Sequence, residues 1–208
     1  MSGTLAKLDA ITGVILAGGR ATRMGGDKAM RQLAGYPLIS HVIDRIEPQL
    51  SPGRLFLNAD HPLAGIELNL VADTLSGRPG PLAGLLAAML AGQDGGWVLS
   101  VPTDTPFLPR DLVSRLRHGL FNTGASIALA ASANGLCQVC GLWPVHLTDD
   151  LARFLASGQN KVLTWASRQS ICQIEFPPEQ IGRYRADPFF NVNTPEDLAE
   201  AERMLSDT

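Results

Sequence analysis

The sequence has little of several features that mark particular classes of protein. Its 208 residues include only three cysteines, too few for a disulfide framework, which favours a reducing compartment. The formal net charge is −3 with no block of like charge, so nucleic acid is not an expected partner. No apolar run is long enough for a signal peptide or a membrane span, so we expect a cytoplasmic protein without membrane contact. Aromatic residues make up only 6%, and the dominance of Leu, Ala and Gly favours α/β layers over a β-sandwich.

Two of the cysteines, Cys137 and Cys140, have C-x-x-C spacing. A zinc site would need a second such pair, and the four histidines are scattered singly along the chain. A thioredoxin-like pair would stand at the start of a helix, whereas residues 137–143 are typical of a strand. We therefore interpret both cysteines as small apolar strand residues, and a metal or redox role is the alternative.

The strongest functional signal is a glycine-rich loop. It directly follows the first predicted strand, which covers residues 12–16. The loop carries four glycines and three basic side chains, namely Gly18, Gly19, Gly25, Gly26, Arg20, Arg23 and Lys28. The glycines leave backbone N–H groups accessible and permit the positive φ angles of an anion-binding nest. A P-loop would need Ser or Thr after a Gly-Lys pair, and a dinucleotide fingerprint would need Gly at position 20, so neither fits. The loop predicts a pocket for a triphosphate.

Polar side chains follow three further apolar runs that we predict as strands. Asn58 ends one run and Asp73 follows the next, and open parallel sheets bind ligands at the carboxyl ends of their strands. Taken alone, Asn58 is sufficiently explained as a turn-forming residue and Asp73 as a loop cap. Asp104 follows the run 97–101 in a proline-stiffened turn, where a carboxylate can bind a hard cation. The alternative for Asp104 is a helix N-cap or an Asx turn.

Apolar spacing predicts helices and a mixed sheet over the rest of the chain. Helices are predicted over 38–46, 81–90, 111–120, 147–155 and 161–166. In the second of these, the leucines up to Leu90 and Met89 are expected to form one buried face. Strands are predicted over 125–131, 137–143 and 171–176, and at a strand end, 190–193. The first two flank Asn134-Gly135 and should pair antiparallel. Thr194 and Pro195 then predict the start of a final helix.

Three segments together resemble one family. The first, over 16–28, is Leu-Ala-Gly-Gly, followed after three residues by Arg-Met-Gly and after one more residue by Asp-Lys. The second is Pro-x-Asp-x-Pro-Phe-Leu-Pro over 102–109, and the third is Asn-Val-Asn-Thr-Pro-Glu-Asp-Leu over 191–198. In this order they resemble the molybdenum cofactor guanylyltransferase family of nucleotidyltransferases. The resemblance implies a Rossmann-like three-layer α/β fold with a mostly parallel, mixed central sheet. We expect one domain over 1–208, with GTP bound mainly by 1–110 and the pterin acceptor mainly by 111–208.

The resemblance also implies an activity and a set of site residues. The activity is Mg²⁺-dependent transfer of GMP from GTP to molybdenum-molybdopterin, with Lys28, Arg23 and Asp104 as the catalytic residues. GTP or its metal would be contacted by Leu16, Ala17, Gly18, Gly19, Lys28, Asn58, Asp73 and Asp104, and the metal by Asp104. Asn191 and Asn193 would lie near the metal or on the pterin side. Where the family often has a polar residue followed by proline, this chain offers only Gln138 as a polar candidate.

Two other functions stay open at this point. A cytidylyltransferase acting on molybdopterin or another phosphorylated acceptor would share the loop, because the loop does not read the base. A catalytically silent nucleotide-binding module would be expected to lack Asp104 or Lys28, and both are present. The partners that the resemblance implies are GTP and molybdenum-molybdopterin, with transient contacts to proteins for cofactor delivery or molybdoenzyme maturation.

Overall fold

The computed structural model describes residues 11–17, 28–74, 80–92 and 96–206. The strands in these ranges are β1 Ile11–Leu16, β2 Gln32–Leu33, β3 Tyr36–Pro37, β4 Leu55–Asn58, β5 Asn69–Leu70, β6 Trp97–Pro102, β7 Ile127–Ser132, β8 Gly135–Pro144, β9 Ile171–Glu175, β10 Glu179–Ile181 and β11 Tyr184–Ala186. The α-helices are α1 Leu38–Ile46, α2 Pro81–Ala91, α3 Leu112–Thr123, α4 Thr148–Ala156, α5 Val162–Ala166 and α6 Pro195–Ser206. None of the helices in these ranges is long and apolar enough to cross a membrane.

A seven-stranded sheet in the order β5-β4-β1-β6-β8-β7-β9 forms the centre of the protein. β1 pairs parallel with β4 and β6, β4 pairs parallel with β5, and β7 pairs parallel with β9. β8 pairs antiparallel with both of its neighbours, so it alone is reversed within this sheet. The mostly parallel, mixed sheet predicted from the sequence is confirmed.

Helices cover both faces of the sheet. On one face α1 and α3 pack in a cluster that includes Ile15, Val42 and Leu116. On the other face α2, α4 and α5 pack in a cluster that includes Leu85 and Trp143. Strands covered on both faces need near-continuous apolar sequence, which explains why β1 is buried at every position. The three-layer α/β architecture that the family resemblance implies is therefore present.

A third apolar cluster lies beside the sheet and joins segments that are distant in sequence. Two short hairpins, β2 with β3 and β10 with β11, contribute Leu33 and Ile181 to it. Phe107 enters from the turn after β6, and Val192 enters from the segment before α6. All four side chains are almost fully buried. The cluster thus fixes the turn after β6 against the segment before α6.

Several local expectations from the sequence differ from the structure. Residues 190–193 form no strand; their alternation arises because Val192 is buried in the third cluster while its neighbours are not. Leu90 is 42% exposed, because it lies on the side of the last turn of α2 that faces solvent. The run ending before Asp73 has only a two-residue strand, β5, and the hairpin turn between β7 and β8 is formed by Ala133 and Asn134.

Candidate active site

Three residues that are far apart in the sequence meet at the end of β6. Lys28 Nζ donates a hydrogen bond to Asp104 Oδ2 at 2.7 Å and another to Asn193 Oδ1 at 2.5 Å. The Lys28 and Asp104 side chains are 21% and 20% exposed, so this ion pair is partly shielded from water. Each residue comes from one of the three sequence motifs. The fold therefore brings the three motifs to one point.

The turn after β6 holds Asp104 from both sides. Thr103 and Thr105 are buried beside it, and Phe107 anchors the following residues in the third cluster. The backbone carbonyl of Asp104 accepts a hydrogen bond from the Val192 amide at 2.8 Å. Because the backbone of Asp104 is fixed in this way, its carboxylate has a defined position at the carboxyl end of a parallel strand.

The two carboxylate oxygens of Asp104 have different surroundings. Asp104 Oδ1 is buried and has no hydrogen-bond partner among the residues that the structure describes. A buried carboxylate oxygen without a partner is costly, and a hard cation would satisfy it. In the same described ranges, no group of three or more His, Cys, Asp or Glu side chains could hold a metal ion. Among the described residues, Asp104 is therefore a candidate for a single carboxylate ligand to a cation.

A second polar pair lies at the carboxyl ends of β1 and β4. Asn58 Nδ2 donates to Asp73 Oδ1 and to the Val71 carbonyl, each at 2.9 Å. Asn58 also pairs with Leu16, and the Ala17 amide donates to its carbonyl at 2.9 Å. Four residues that we predicted to bind nucleotide are thereby brought together at one edge of the sheet. Asn58 is 3% exposed, whereas Asp73 is exposed.

Gly84 in α2 lies directly against Asn58, although its sequence position alone did not indicate a functional role. A Cβ at position 84 would lie 2.2 Å from Asn58 Oδ1 and 2.9 Å from Leu16 Cδ2. Only glycine lets α2 approach the ends of β1 and β4 this closely. The signal available in the sequence was a glycine inside an otherwise uniformly apolar helix.

The position of Asn193 is set by the first turn of α6. Asp197 Oδ2 accepts hydrogen bonds from the Asn193 amide at 2.9 Å and the Thr194 amide at 2.8 Å. Thr194 Oγ1 accepts from the Asp197 amide at 3.1 Å, which completes a capping box. Desolvation would raise the pKa of Asp197, but these donors and the nearby charge of Lys28 lower it below its ordinary value.

The remaining predicted residues are less closely grouped. Asn191 lines a cavity of about 260 Å³ beside the turn between β7 and β8. Gln138 is exposed and is not among the residues that line this cavity; it lies with Leu16 and Pro81 beside a separate, narrow gap. Gly18, Gly19 and Arg23 lie outside the described residues.

The C-x-x-C cysteines lie in an irregular part of β8. Leu129 pairs with Gly141 but Ala131 pairs with Leu136, so residues 137–140 bulge out of the ladder. A hydrogen bond from the Cys140 thiol lowers the pKa of Cys137 against the opposing effect of burial. Burial raises the pKa of Cys140 well above its ordinary value. Cys140 packs in the core as predicted, whereas Cys137 is only partly buried.

Comparison with known proteins identifies the family. The model of the MobA-like NTP transferase domain matches residues 13–171. A molybdenum cofactor guanylyltransferase of Rhodopseudomonas palustris (strain BisB5) is 46% identical over 198 residues, covering 92% of each chain. One from Bradyrhizobium sp. (strain ORS 278) is 43% identical over 210 residues, covering 95% of this chain and 94% of the relative.

Solved structures share the fold at lower identity. Molybdopterin-guanine dinucleotide biosynthesis protein A from Archaeoglobus fulgidus superposes with a TM-score of 0.73 at 23% identity, over 95% of this chain and 100% of that one. CMP:2-keto-3-deoxy-manno-octonic acid synthetase, complexed with CTP, gives a TM-score of 0.69 at 12% identity, over 94% and 98%. The architecture is thus that of nucleotidyltransferases, and on the sequence matches the chain belongs to the molybdenum cofactor guanylyltransferase family.

Proposed function

We propose that the chain transfers GMP from GTP to molybdenum-molybdopterin, releasing pyrophosphate and forming a molybdopterin guanine dinucleotide cofactor. The observation that carries the proposal is the contact of Lys28 Nζ with both Asp104 Oδ2 and Asn193 Oδ1. The names of the relatives supply the base and the acceptor. Transient contacts with proteins for cofactor delivery or molybdoenzyme maturation belong to the same proposal, because the substrate must arrive and the product must leave.

We assign the nucleotide to the side of the site formed by β1 and β4. Four of the predicted residues meet there, namely Leu16, Ala17, Asn58 and Asp73. Because Gly84 has no side chain, α2 lies directly against the Asn58 amide. The chain continues from Ala17 into the glycine loop, to which we assign the phosphates of GTP. This arrangement supports the assignment of residues 1–110 as the mainly GTP-binding part of one domain.

Asp104 is the residue that we assign to Mg²⁺. Its buried Oδ1 has no hydrogen-bond partner among the described residues, and a carboxylate oxygen is a hard ligand. Mg²⁺ is usually held by one or two carboxylates together with substrate phosphates and water, which fits the single carboxylate here. When bound, Mg²⁺ would supply neutralisation of the charge on the α-phosphate and the attacking oxygen.

The proposed reaction needs neither a covalent enzyme intermediate nor a general base. The terminal phosphate of the pterin is already ionised near neutral pH, so its oxygen can attack the α-phosphorus of GTP directly. A bond forms from that oxygen to the α-phosphorus while the bond from the α-phosphorus to the β-phosphate oxygen breaks, and the electron pair leaves with pyrophosphate. Lys28 and Arg23 would neutralise the charge that develops on this leaving group.

The experiment that tests the proposal is a nucleotide panel. Pyrophosphate release would be measured from GTP, CTP, ATP and UTP with Mg²⁺, each with and without molybdenum-loaded molybdopterin. We expect release from GTP only when the pterin is present. CTP is the informative competitor, since an enzyme complexed with CTP has the same fold.

Each other result of the panel has a distinct meaning. Pterin-dependent release from CTP in place of GTP would keep the chemistry and overturn the choice of base. Binding of GTP without release from any nucleotide would favour a catalytically silent module. Release from GTP that does not need the pterin would overturn the acceptor.

A further inference from the structure

A cavity of about 260 Å³ lies next to the Asp104 site, between the hairpin of β7 and β8 and the segment before α6. Its lining includes Ser132, Asn134, Asp187 and Asn191 as polar residues. Asn191 is followed directly by Val192, whose amide donates to the Asp104 carbonyl at 2.8 Å. The cavity therefore continues from the Asp104 site along the chain segment that also carries Asn193.

The cavity is on the opposite side of Asp104 from the Asn58–Asp73 pair. In the sheet order, β4 and β1 precede β6, whereas β8 and β7 follow it. Asn58 ends β4, Asp104 follows β6, and the cavity is bordered by the hairpin of β7 and β8. An α-phosphorus of GTP at Asp104 would thus have the nucleotide side of the site on one side and this cavity on the other, so an acceptor bound in the cavity could reach it.

Asp187 is the charged group of the cavity, and protein donors fix its orientation. Its Oδ2 accepts from Ser132 Oγ at 2.9 Å and from Asn134 Nδ2 at 2.7 Å. Its Oδ1 accepts from the Phe189 amide at 2.9 Å. An ionised carboxylate has about four acceptor positions, and donors among the described residues occupy three of them, which leaves one position on Oδ1 for a ligand. Asp187 is half-buried and oriented, not a freely rotating surface carboxylate.

We infer that Asp187 recognises the aminopyrimidinone ring of the pterin acceptor in this cavity; the inference rests on the proposed function. The exocyclic amino group of a pterin is a hydrogen-bond donor, and the remaining acceptor position on the oriented Asp187 carboxylate is its complement. Phe189 and Phe190 line the same cavity and offer apolar contact to the ring. The volume is just under the usual range of ligand pockets, about 300–1,000 Å³, so it suits the ring end of the acceptor with the phosphate end outside it.

The test compares Asp187→Asn with the wild-type protein. The substitution keeps the shape of the side chain and an oxygen acceptor but removes the charge. We expect the KM for molybdenum-molybdopterin to rise roughly 10- to 100-fold, the usual effect of losing a hydrogen bond to a charged group. The KM for GTP should stay within about twofold, because the nucleotide side does not contact Asp187. An unchanged KM for the pterin would overturn the inference.

A second readout separates recognition from a purely structural role. Pterin and lumazine would be compared as competitive inhibitors, since lumazine carries a carbonyl in place of the exocyclic amino group. The wild-type protein should prefer pterin, and Asp187→Asn should lose that preference. Ser132→Ala removes one of three donors to Asp187 without removing the charge, and Asn134 and the Phe189 amide still hold the carboxylate, so it should retain part of the preference. Equal loss of preference in Ser132→Ala, or no preference in the wild-type protein, would overturn the assignment.

Pterin binding and GMP transfer can be measured separately, so failure of this inference can be distinguished from failure of the proposed function. Asp150→Asn is a matched control on α4, where Asp150 Oδ2 accepts from Trp165 Nε1 at 2.9 Å on the other face of the sheet. Binding of metal-free molybdopterin without nucleotide would be measured for all variants. Wild-type protein that binds the pterin with Asp187-dependent affinity but transfers no GMP would sustain the inference and overturn the proposed function. Transfer that Asp187→Asn leaves intact would do the reverse.

Discussion

Gly84 in α2 lies so close to Asn58 at the end of β4 that a Cβ at position 84 would stand 2.2 Å from Asn58 Oδ1. Asn58 cannot turn away freely, because its Nδ2 donates to both the Val71 carbonyl and Asp73 Oδ1 at 2.9 Å. The helix, the strand end and the carboxylate are therefore one unit. Any side chain at 84 must disturb the amide that we assign to GTP.

We expect Gly84→Ala to weaken GTP binding more than it weakens the fold. The alanine methyl group would displace Asn58 and break the bond to Asp73, so the KM for GTP should rise roughly tenfold, the order of one hydrogen bond. Alanine favours the helix by about 1 kcal/mol over glycine, which offsets part of an overpacking cost of about 1–3 kcal/mol. Steady-state kinetics with varied GTP and urea unfolding would measure the two effects.

Gly119→Ala is the matched control for this prediction. Its Cβ would lie 2.1 Å from Ile174 Cδ1, so it also overpacks a helix against the sheet, but in α3 and away from the nucleotide side. It should lower the free energy of unfolding and leave the KM for GTP unchanged. If both variants changed the KM equally, crowding in general and not Asn58 would be the cause.

Asp104→Asn should abolish most of the turnover while the protein stays folded. The substitution keeps the size of the side chain but removes the charge that pairs with Lys28 at 2.7 Å and that would hold a cation. Loss of one group that acts in the transition state typically costs on the order of 10²-fold or more in kcat. Pyrophosphate release and circular dichroism would be measured together.

A neighbouring carboxylate provides the control for Asp104. Asp111 follows in the same connection, and its contact with Arg115 is long, at 3.9 Å, with the Asp111 side chain 55% exposed. Asp111→Asn should therefore retain nearly full turnover. Near-normal GTP turnover by folded Asp104→Asn would contradict the assignment of the metal and of the reaction.

The sequence predicted the strands that form the sheet because buried parallel strands are short, apolar and bounded by turns. β1 and β6 are examples, and the polar residues at strand ends, namely Asn58 at the end of β4 and Asp104 after β6, followed directly from that interpretation. The contact between Asn58 and Asp73 could not be predicted with the same means. It depends on β5 lying beside β4, and pairing between strands is a tertiary property that local spacing does not encode.

Other features were missed because tertiary contacts override a local pattern. The alternation over 190–193 is typical of a strand, yet the Val192 amide bonds to the Asp104 carbonyl, so no ladder forms. The C-x-x-C spacing would place Cys137 and Cys140 on opposite faces of a regular strand, and only the bulge in β8 lets their thiols interact. Short hairpins such as β2 with β3 have too few residues to show any periodicity.

Asp197→Ala should destabilise the protein at neutral pH but not in acid. Asp197 accepts amide hydrogen bonds from Asn193 and Thr194, and loss of such a cap costs about 1 kcal/mol. Because the folded-state pKa of Asp197 is lowered, its contribution is present above the unfolded-state pKa, about 3.9, and is lost as the pH falls through the folded-state value. Urea unfolding at a series of pH values would show the difference from wild type shrinking in acid; a constant difference would contradict the role of the charge.

Cys137 should be the most reactive thiol of the three, and its modification should block the acceptor. It is partly exposed, whereas Cys140 and Cys172 are buried. The hydrogen bond from Cys140 lowers the pKa of Cys137, so its thiolate forms at lower pH than an ordinary thiol and alkylation by iodoacetamide should become fast at lower pH. Peptide mass spectrometry across a pH series would give the rate for each cysteine.

Cys137 also lines the cavity that contains Asp187, so the alkylated protein should lose pterin-dependent turnover but still bind GTP. Cys137→Ser should resist this inactivation; if iodoacetamide inactivated Cys137→Ser at the wild-type rate, the reactive group would be elsewhere.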